Sequence, residues 1–286
     1  MVKKAAFITI HGMGDTEPSY SANVISDLTS RLGAKAADLH IGSVYYQGIL
    51  QPNEKLVWDK VAKRLKWDAL RKFLLYGFAD AAGLENGKES LTSVYSQAQI
   101  ILARELIAAR KAMNGDGPVV ILAQSLGCQV ASCYFWDALS YGSDRRPNVG
   151  IWQDLKAIEE GVNGSNALTP EEIAFLQGKS SLRALYTTGC NIPIFVAAHL
   201  TKDILPIEPN TTFEWHNFYD KDDVLGWPLA ELSDGYRKIV KDHVVNAGGG
   251  IMGWILKSWN PMSHGQYWGD DEVLDPLESE LRKLLG

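Results

Sequence analysis

The chain has 286 residues, 46% of them hydrophobic and 22% charged, and its 28 Lys plus Arg against 34 Asp plus Glu give a net charge of −6. Plentiful aliphatic and aromatic residues exclude intrinsic disorder, and the length suffices for a sizeable buried core. A mildly acidic chain without a long basic run is a poor match for nucleic acid or for an anionic membrane.

The first ten residues run from basic to apolar. The apolar part is short and passes at once into His11-Gly12-Met13-Gly14, so it reads as a buried first strand over Ala5–Ile10 rather than as a signal peptide. Val24, Ile25, Leu28 and Leu32 give helical spacing over residues 19–32, ended by Gly33. A second strand is predicted over 39–46, and Pro52 opens a helical stretch through 65. Residues 67–83 are apolar on several faces, as in a core helix or an element covering a pocket. A long helix over 91–113 stops at Asn114-Gly115-Asp116-Gly117-Pro118.

The run Val119-Val120-Ile121-Leu122-Ala123 reads as a fully buried parallel strand, followed by a helix over 126–139. Residues 141–180 are richer in Gly, Asn and Pro and hold a helix start at Thr169-Pro170-Glu171-Glu172. Strands are predicted over 182–188 and 212–219, and helices over 229–245 and 274–285. Residues 49–90 and 141–180 stand out as candidate cap insertions within one domain, 1–286. No stretch reaches the roughly 18 apolar residues of a membrane span. Cys128, Cys133 and Cys190 are odd in number and have neither framework nor zinc-site spacing, which points to a reducing compartment. The expectation is a soluble cytoplasmic protein with a mainly parallel sheet flanked by helices.

Functional residues in such sheets gather beyond the carboxyl ends of the strands. Ala123-Gln124-Ser125-Leu126-Gly127 is small-x-Ser-x-Gly between a buried strand and a helix. A tight turn there lifts the hydroxyl above the sheet, and its strained backbone needs small residues two before and two after. The other reading of Ser125 is a helix N-cap. His11-Gly12-Met13-Gly14 fails as a dinucleotide fingerprint, because Glu17 stands where the third glycine would be, but it suits a loop that offers an amide to an oxyanion. Met13 and Leu126 are the candidate amide donors. Asp220, Asp222 and Asp223 follow the 212–219 strand. Asp223 fits best as an acid partner, with Asp220 as the alternative. Of six histidines, His40, His199, His216 and His243 fall inside strand or helix patterns and His11 lies in the glycine loop, which leaves His264 as the base. A calcium loop from Asp220 fails at Val224 and Leu225, and no metal is implied.

These pieces, Ile10 to Gly14, Ala123 to Gly127, Tyr219 to Asp223 and Ser263 to Tyr267, resemble the α/β-hydrolases of serine esterase and lipase type. The resemblance implies an α/β-hydrolase fold with a shortened N-terminus. It implies Ser125 as nucleophile, His264 as general base, Asp223 as orienting acid and the Met13 and Leu126 amides as oxyanion hole. His11, Gly12, Gln124 and Asn191 would border the substrate. It further implies ester hydrolysis through an acyl-enzyme, on a small ester or acyl substrate and without a cofactor. Thioesters and amides stay open as substrates. The alternative is a non-catalytic module that uses the same pocket to bind a ligand or partner. Trp227, Trp254, Trp259 and Trp268 lie near the acid or the base in sequence, as an apolar acyl site or as ordinary core.

Overall fold

The computed structural model describes residues 2–62, 68–143, 149–164, 166–197, 199, 204–247 and 266–286. Among them, six strands form one sheet: β1 (Ala5–Ile10), β2 (Leu39–Val44), β3 (Val119–Gln124), β4 (Leu182–Thr188), β5 (Glu214–Asp220) and β6 (Val240–Val245). Their spatial order is β2-β1-β3-β4-β5-β6 and every neighbouring pair is parallel. The expected mainly parallel sheet flanked by helices is the architecture observed.

The helices are α1 (Ala22–Leu32), α2 (Gln47–Val61), α3 (Asp68–Glu85), α4 (Val94–Met113), α5 (Leu126–Ser140), α6 (Leu155–Asn163), α7 (Pro170–Leu176), α8 (Ile192–Val196), α9 (Asp234–Ile239) and α10 (Asp271–Leu285). They cover both faces of the sheet, which explains why β1 and β3 are apolar without alternation. Ile8, Ile10 and Ile121 point to one face, against Leu102 and Leu106 of α4 and Val130 and Tyr134 of α5. Phe7, Val120 and Leu122 point to the other, against Val24 and Leu28 of α1 and Leu274, Leu277 and Leu281 of α10.

Three expectations need correction. Pro52 does not open its helix. It lies inside α2, which starts at Gln47. The predicted helix over 229–245 breaks into a 3-10 turn at Ala230–Leu232, the short α9, and the strand β6. Among the described residues β6 pairs only with β5, and its buried residues are Val240 and Val245 at its two ends, without the alternation that marks a strand. His199 belongs to neither helix nor strand and follows α8 in a bend. The helix start at Thr169 is as expected, with a reciprocal capping box between Thr169 and Glu172.

Residues 49–90 supply most of α2 and all of α3, which pack on each other beside the carboxyl ends of β1 and β2. Residues 141–180 supply α6 and α7, which pack on α4.

Candidate active site

Ser125 stands directly beyond the end of β3, the third strand in the sheet, and opens α5. Its backbone has φ 51° and ψ −120°, a region that costs a residue with a side chain roughly 1–3 kcal/mol. The Ser125 amide donates to the Thr188 carbonyl at 2.9 Å, which pins the turn to the end of β4. The hydroxyl does not cap α5, so the helix-cap reading of this serine does not hold. Its Oγ is buried without a hydrogen-bond partner among the described residues.

The small neighbours are required by close backbone approach. A Cβ on Gly127 would lie 2.3 Å from the His11 carbonyl oxygen and 2.7 Å from that of Ile10. A Cβ on Gly12 would lie 2.9 Å from the Ser125 Cβ. The glycine loop after β1 is therefore pressed against both the serine and the first turn of α5. Among the described residues, the amides of Met13 and Leu126 donate to no protein acceptor.

His11 is buried and fully engaged. Its Nδ1–H donates to the Gly12 carbonyl at 2.7 Å, and its Nε2 accepts from the Tyr46 amide at 3.1 Å. A carbonyl can only accept and an amide can only donate, so these partners fix the neutral tautomer. The ring stacks on Tyr46 with centroids 4.0 Å apart. Burial lowers its pKa to about 4.

The loop is also held from α3, which sequence reasoning did not anticipate. The Gly14 amide donates to Asp80 Oδ2 at 2.8 Å, and Gln47 Nε2 donates to Asp80 Oδ1 at 2.8 Å. The same Gln47 group reaches Glu54 Oε2 at 3.3 Å. Burial, with a hydrogen bond to Asp80, pushes Glu54 up to about 9, and burial raises Asp80 as well. Glu54 thus carries a proton at neutral pH. One helical turn before Asp80, Gly77 leaves room for the Met13 side chain: a Cβ there would sit 2.6 Å from its Sδ. No short motif marks these contacts, because they join the glycine loop to residues of α2 and α3 by tertiary packing alone.

Farther along the sheet, Asp220 is the last residue of β5 and Asp223 follows it in the next turn, and both are buried. Asp223 Oδ1 accepts from the Leu225 amide at 3.0 Å, and Oδ2 accepts from the Tyr267 hydroxyl at 2.8 Å. The Tyr267 oxygen in turn accepts from the Asp220 amide at 3.0 Å. Asp220 Oδ1 is taken up by the Asp222 amide within its own turn.

A cavity of about 1100 Å³ opens onto Ser125 and is bordered by His11, Gly12, Met13, Gln124, Phe73 and Trp268, among others. Asn191 is buried at the start of α8 and is not among the residues bordering it. His264, with Trp254 and Trp259, lies outside the described residues. Asn246 and Ala247 on one side of that segment and Gln266 on the other all border the cavity. Trp268 donates its Nε1–H to Thr188 Oγ1 at 3.1 Å, and Trp227 is exposed. No group of three or more His, Cys, Asp or Glu side chains is placed to hold a metal ion among the described residues.

No family model and no curated protein matches the chain. Among solved structures, the chain is similar to a Xanthomonas campestris pv. campestris protein provisionally described as a hydrolase of the alpha/beta superfamily. The identity is 13% over 96% of this chain and 98% of that one, with a TM-score of 0.37.

Proposed function

We propose that this protein is a serine hydrolase that cleaves carboxylic esters through an acyl-enzyme, with Ser125 as nucleophile. The observation that carries the reading is the Ser125 turn. Among the described residues, a strained serine, unbonded through its side chain, faces a large cavity, and the Met13 and Leu126 amides near it have no protein acceptor. Strain of this kind persists where the surrounding structure enforces it, and an orphaned buried hydroxyl is costly to keep.

His264 is the general base. Of the described histidines only His11 borders the cavity, and both its nitrogens are engaged. His264 is two residues before Gln266 in sequence, and Gln266 borders the cavity. Asp223 is the orienting acid, because its carboxylate is fixed by two donors, one of them on Tyr267 just beyond the same segment. Asp220 spends one oxygen on its own turn.

In the reaction His264 takes the Ser125 proton as the oxygen attacks the ester carbonyl. The Met13 and Leu126 amides donate hydrogen bonds to the oxyanion, and Asp223 stabilises the imidazolium. His264 then protonates the leaving alcohol, and water releases the acyl group by the same steps in reverse. The free thiols at Cys128, Cys133 and Cys190 fit a reducing, cytoplasmic setting.

The test is labelling by a fluorophosphonate together with hydrolysis of nitrophenyl esters of graded acyl length. Wild-type protein takes the label on Ser125 and turns over ester, while Ser125→Ala does neither and keeps its fold. Full ester turnover by Ser125→Ala overturns the assignment. Absence of both labelling and turnover in the wild type supports the binding-module alternative.

A further inference from the structure

The 28 Lys and Arg and the 34 Asp and Glu of the chain are nearly balanced, but they are not spread evenly around its cavities. Among the described residues, the cavity that opens onto Ser125 is bordered by Asp15, Glu17, Asp27, Asp270 and Asp271 and by no Lys or Arg. Two other grooves differ. One of about 630 Å³ carries Lys55 and Lys72 beside its acids, and one of about 470 Å³ carries Lys179 and Arg183. Of the three, only the cavity at Ser125 has a border of one sign. Residues 248–265, between two stretches that border it, hold one Lys and no Arg, so they can offset no more than one of these charges.

Three of the five acids are already answered by the protein. Lys72 pairs with Asp15, and Arg31 pairs with Asp271. Asp270 caps α10, where its Oδ1 accepts from the Glu272 amide at 2.8 Å and its charge meets the positive end of the helix. Glu17 and Asp27 are different. Both are exposed, and among the described residues neither carboxylate meets a cation or a hydrogen-bond donor. Glu17 lies in the loop between β1 and α1. Asp27 is on α1, one turn after Asn23, which borders the same cavity. His11 adds no positive charge to this space, because burial keeps its ring neutral down to about pH 4.

A second observation points to a ligand independently of charge. Ser125 is 1% exposed and its Oγ has no hydrogen-bond partner, yet it borders this open space. A buried hydroxyl of this kind is satisfied when a bound molecule meets it. The space of about 1100 Å³ has room for a molecule that spans from Ser125 to the α1 wall.

We infer that this cavity takes a cationic ester, one whose acyl or alcohol part carries an organic ammonium group that lies against Glu17 and Asp27. A cleft lined by one sign of charge concentrates ligands of the opposite sign. The two unpaired carboxylates supply the direct counter-charge. An ester ending in a carboxylate would be repelled by the same groups, with no Lys or Arg among the described bordering residues to receive it. That the ligand is an ester rests on the proposed function, whereas its positive charge does not.

The experiment uses nitrophenyl esters of three acids of matched length, which end in a trimethylammonium, a tert-butyl or a carboxylate group. The full chain is tested as wild type, Glu17→Gln with Asp27→Asn, Glu17→Lys with Asp27→Lys, and Ser125→Ala. At low salt, wild type shows kcat/KM at least about tenfold higher for the ammonium ester than for the tert-butyl ester, and lowest for the carboxylate ester. Added salt narrows these ratios. The neutralised double variant loses most of the ammonium preference, and the charge-reversed one favours the carboxylate ester. Each ratio is taken within one protein, so a variant with generally lowered turnover still reports its preference. Equal or better turnover of the tert-butyl ester by wild type, or a preference unchanged in both double variants, overturns the inference. Calorimetric titration of Ser125→Ala with the same esters ranks their affinities in the same order. That ranking without any turnover by wild type keeps the cation preference and sinks the proposed function alone. Affinities without that ranking overturn the inference whatever the turnover.

Discussion

The Asp80 carboxylate accepts a hydrogen bond from the Gly14 amide at 2.8 Å, so a residue of α3 holds the loop that presses on Ser125. Asp80 is fully buried and its other oxygen is bound to Gln47, so the tie is short and enclosed. A buried hydrogen bond to a charged group contributes roughly 1.5–3 kcal/mol, and much of that is lost when the acceptor goes. Asp80→Ala should therefore lower kcat by about tenfold to a hundredfold with little change in KM, because the displaced loop carries the Met13 amide. Asp80→Asn keeps an acceptor for Gly14, and a flipped Gln47 amide can meet its new donor. It should recover most of the turnover. Steady-state kinetics on one ester separates the three proteins, and an equal loss in both variants would assign Asp80 to charge rather than to loop position.

Glu54 adds a pH dependence of definite sign. Its pKa rises from about 4.5 in the unfolded chain to about 9 in the folded one, so between those values the folded state holds a proton that the unfolded state has lost. Stability from this group therefore falls as pH rises from about 4.5 to 9 and is level beyond. Glu54→Gln has no proton to lose. Its advantage over wild type in urea midpoint should be small near pH 5 and grow steadily to pH 9.

His11 works in the opposite sense. Its folded pKa of about 4 lies below the ordinary 6.5, so above pH 6.5 both states are neutral and nothing changes. As pH falls from 6.5 to 4, only the unfolded chain takes the proton, and roughly 3 kcal/mol of stability is lost. Protonation would also remove the Nε2 lone pair that accepts from Tyr46. His11→Gln should be less stable than wild type at pH 7 but show a flatter decline towards pH 4 in denaturant titrations.

The Ser125 backbone predicts a variant that loses activity and gains stability. Glycine adopts φ 51° without the strain a side chain imposes, and its removal of Oγ also removes an orphaned hydroxyl. After the greater freedom of glycine in the unfolded chain is subtracted, a gain of about 1 kcal/mol remains, or roughly 2–4 °C in Tm. Ser125→Gly should unfold above both wild type and Ser125→Ala in a thermal melt, while neither variant takes a fluorophosphonate label.

Legibility from sequence followed the range of the interactions. β1 and β3 were readable because both of their faces are buried, which leaves continuous apolar runs between turn signals. The Ser125 turn was readable because its demand for small neighbours is local. β6 was not. It follows α9 with no breaking residue, so Val240 to Val245 continue the helical spacing before them. Pro52 misled for a related reason. A proline prefers the first turn of a helix, but Gln47 and Leu50 are buried against the body and extend α2 upstream of it. The contacts of Asp80 with Gly14 and of Tyr267 with Asp223 were invisible because each joins residues far apart in the chain.

The place of β1 between β2 and β3 has a consequence during synthesis. β2 follows β1 soon enough to pair with one of its edges. The other edge waits for Val119–Gln124, more than a hundred residues later. Through that interval the nascent chain displays Ala5–Ile10, a strand without charge or proline, as an open ladder of backbone donors and acceptors. A holdase chaperone that shields this edge, or a pause in translation that prolongs its exposure, will decide how much of the chain reaches the native sheet.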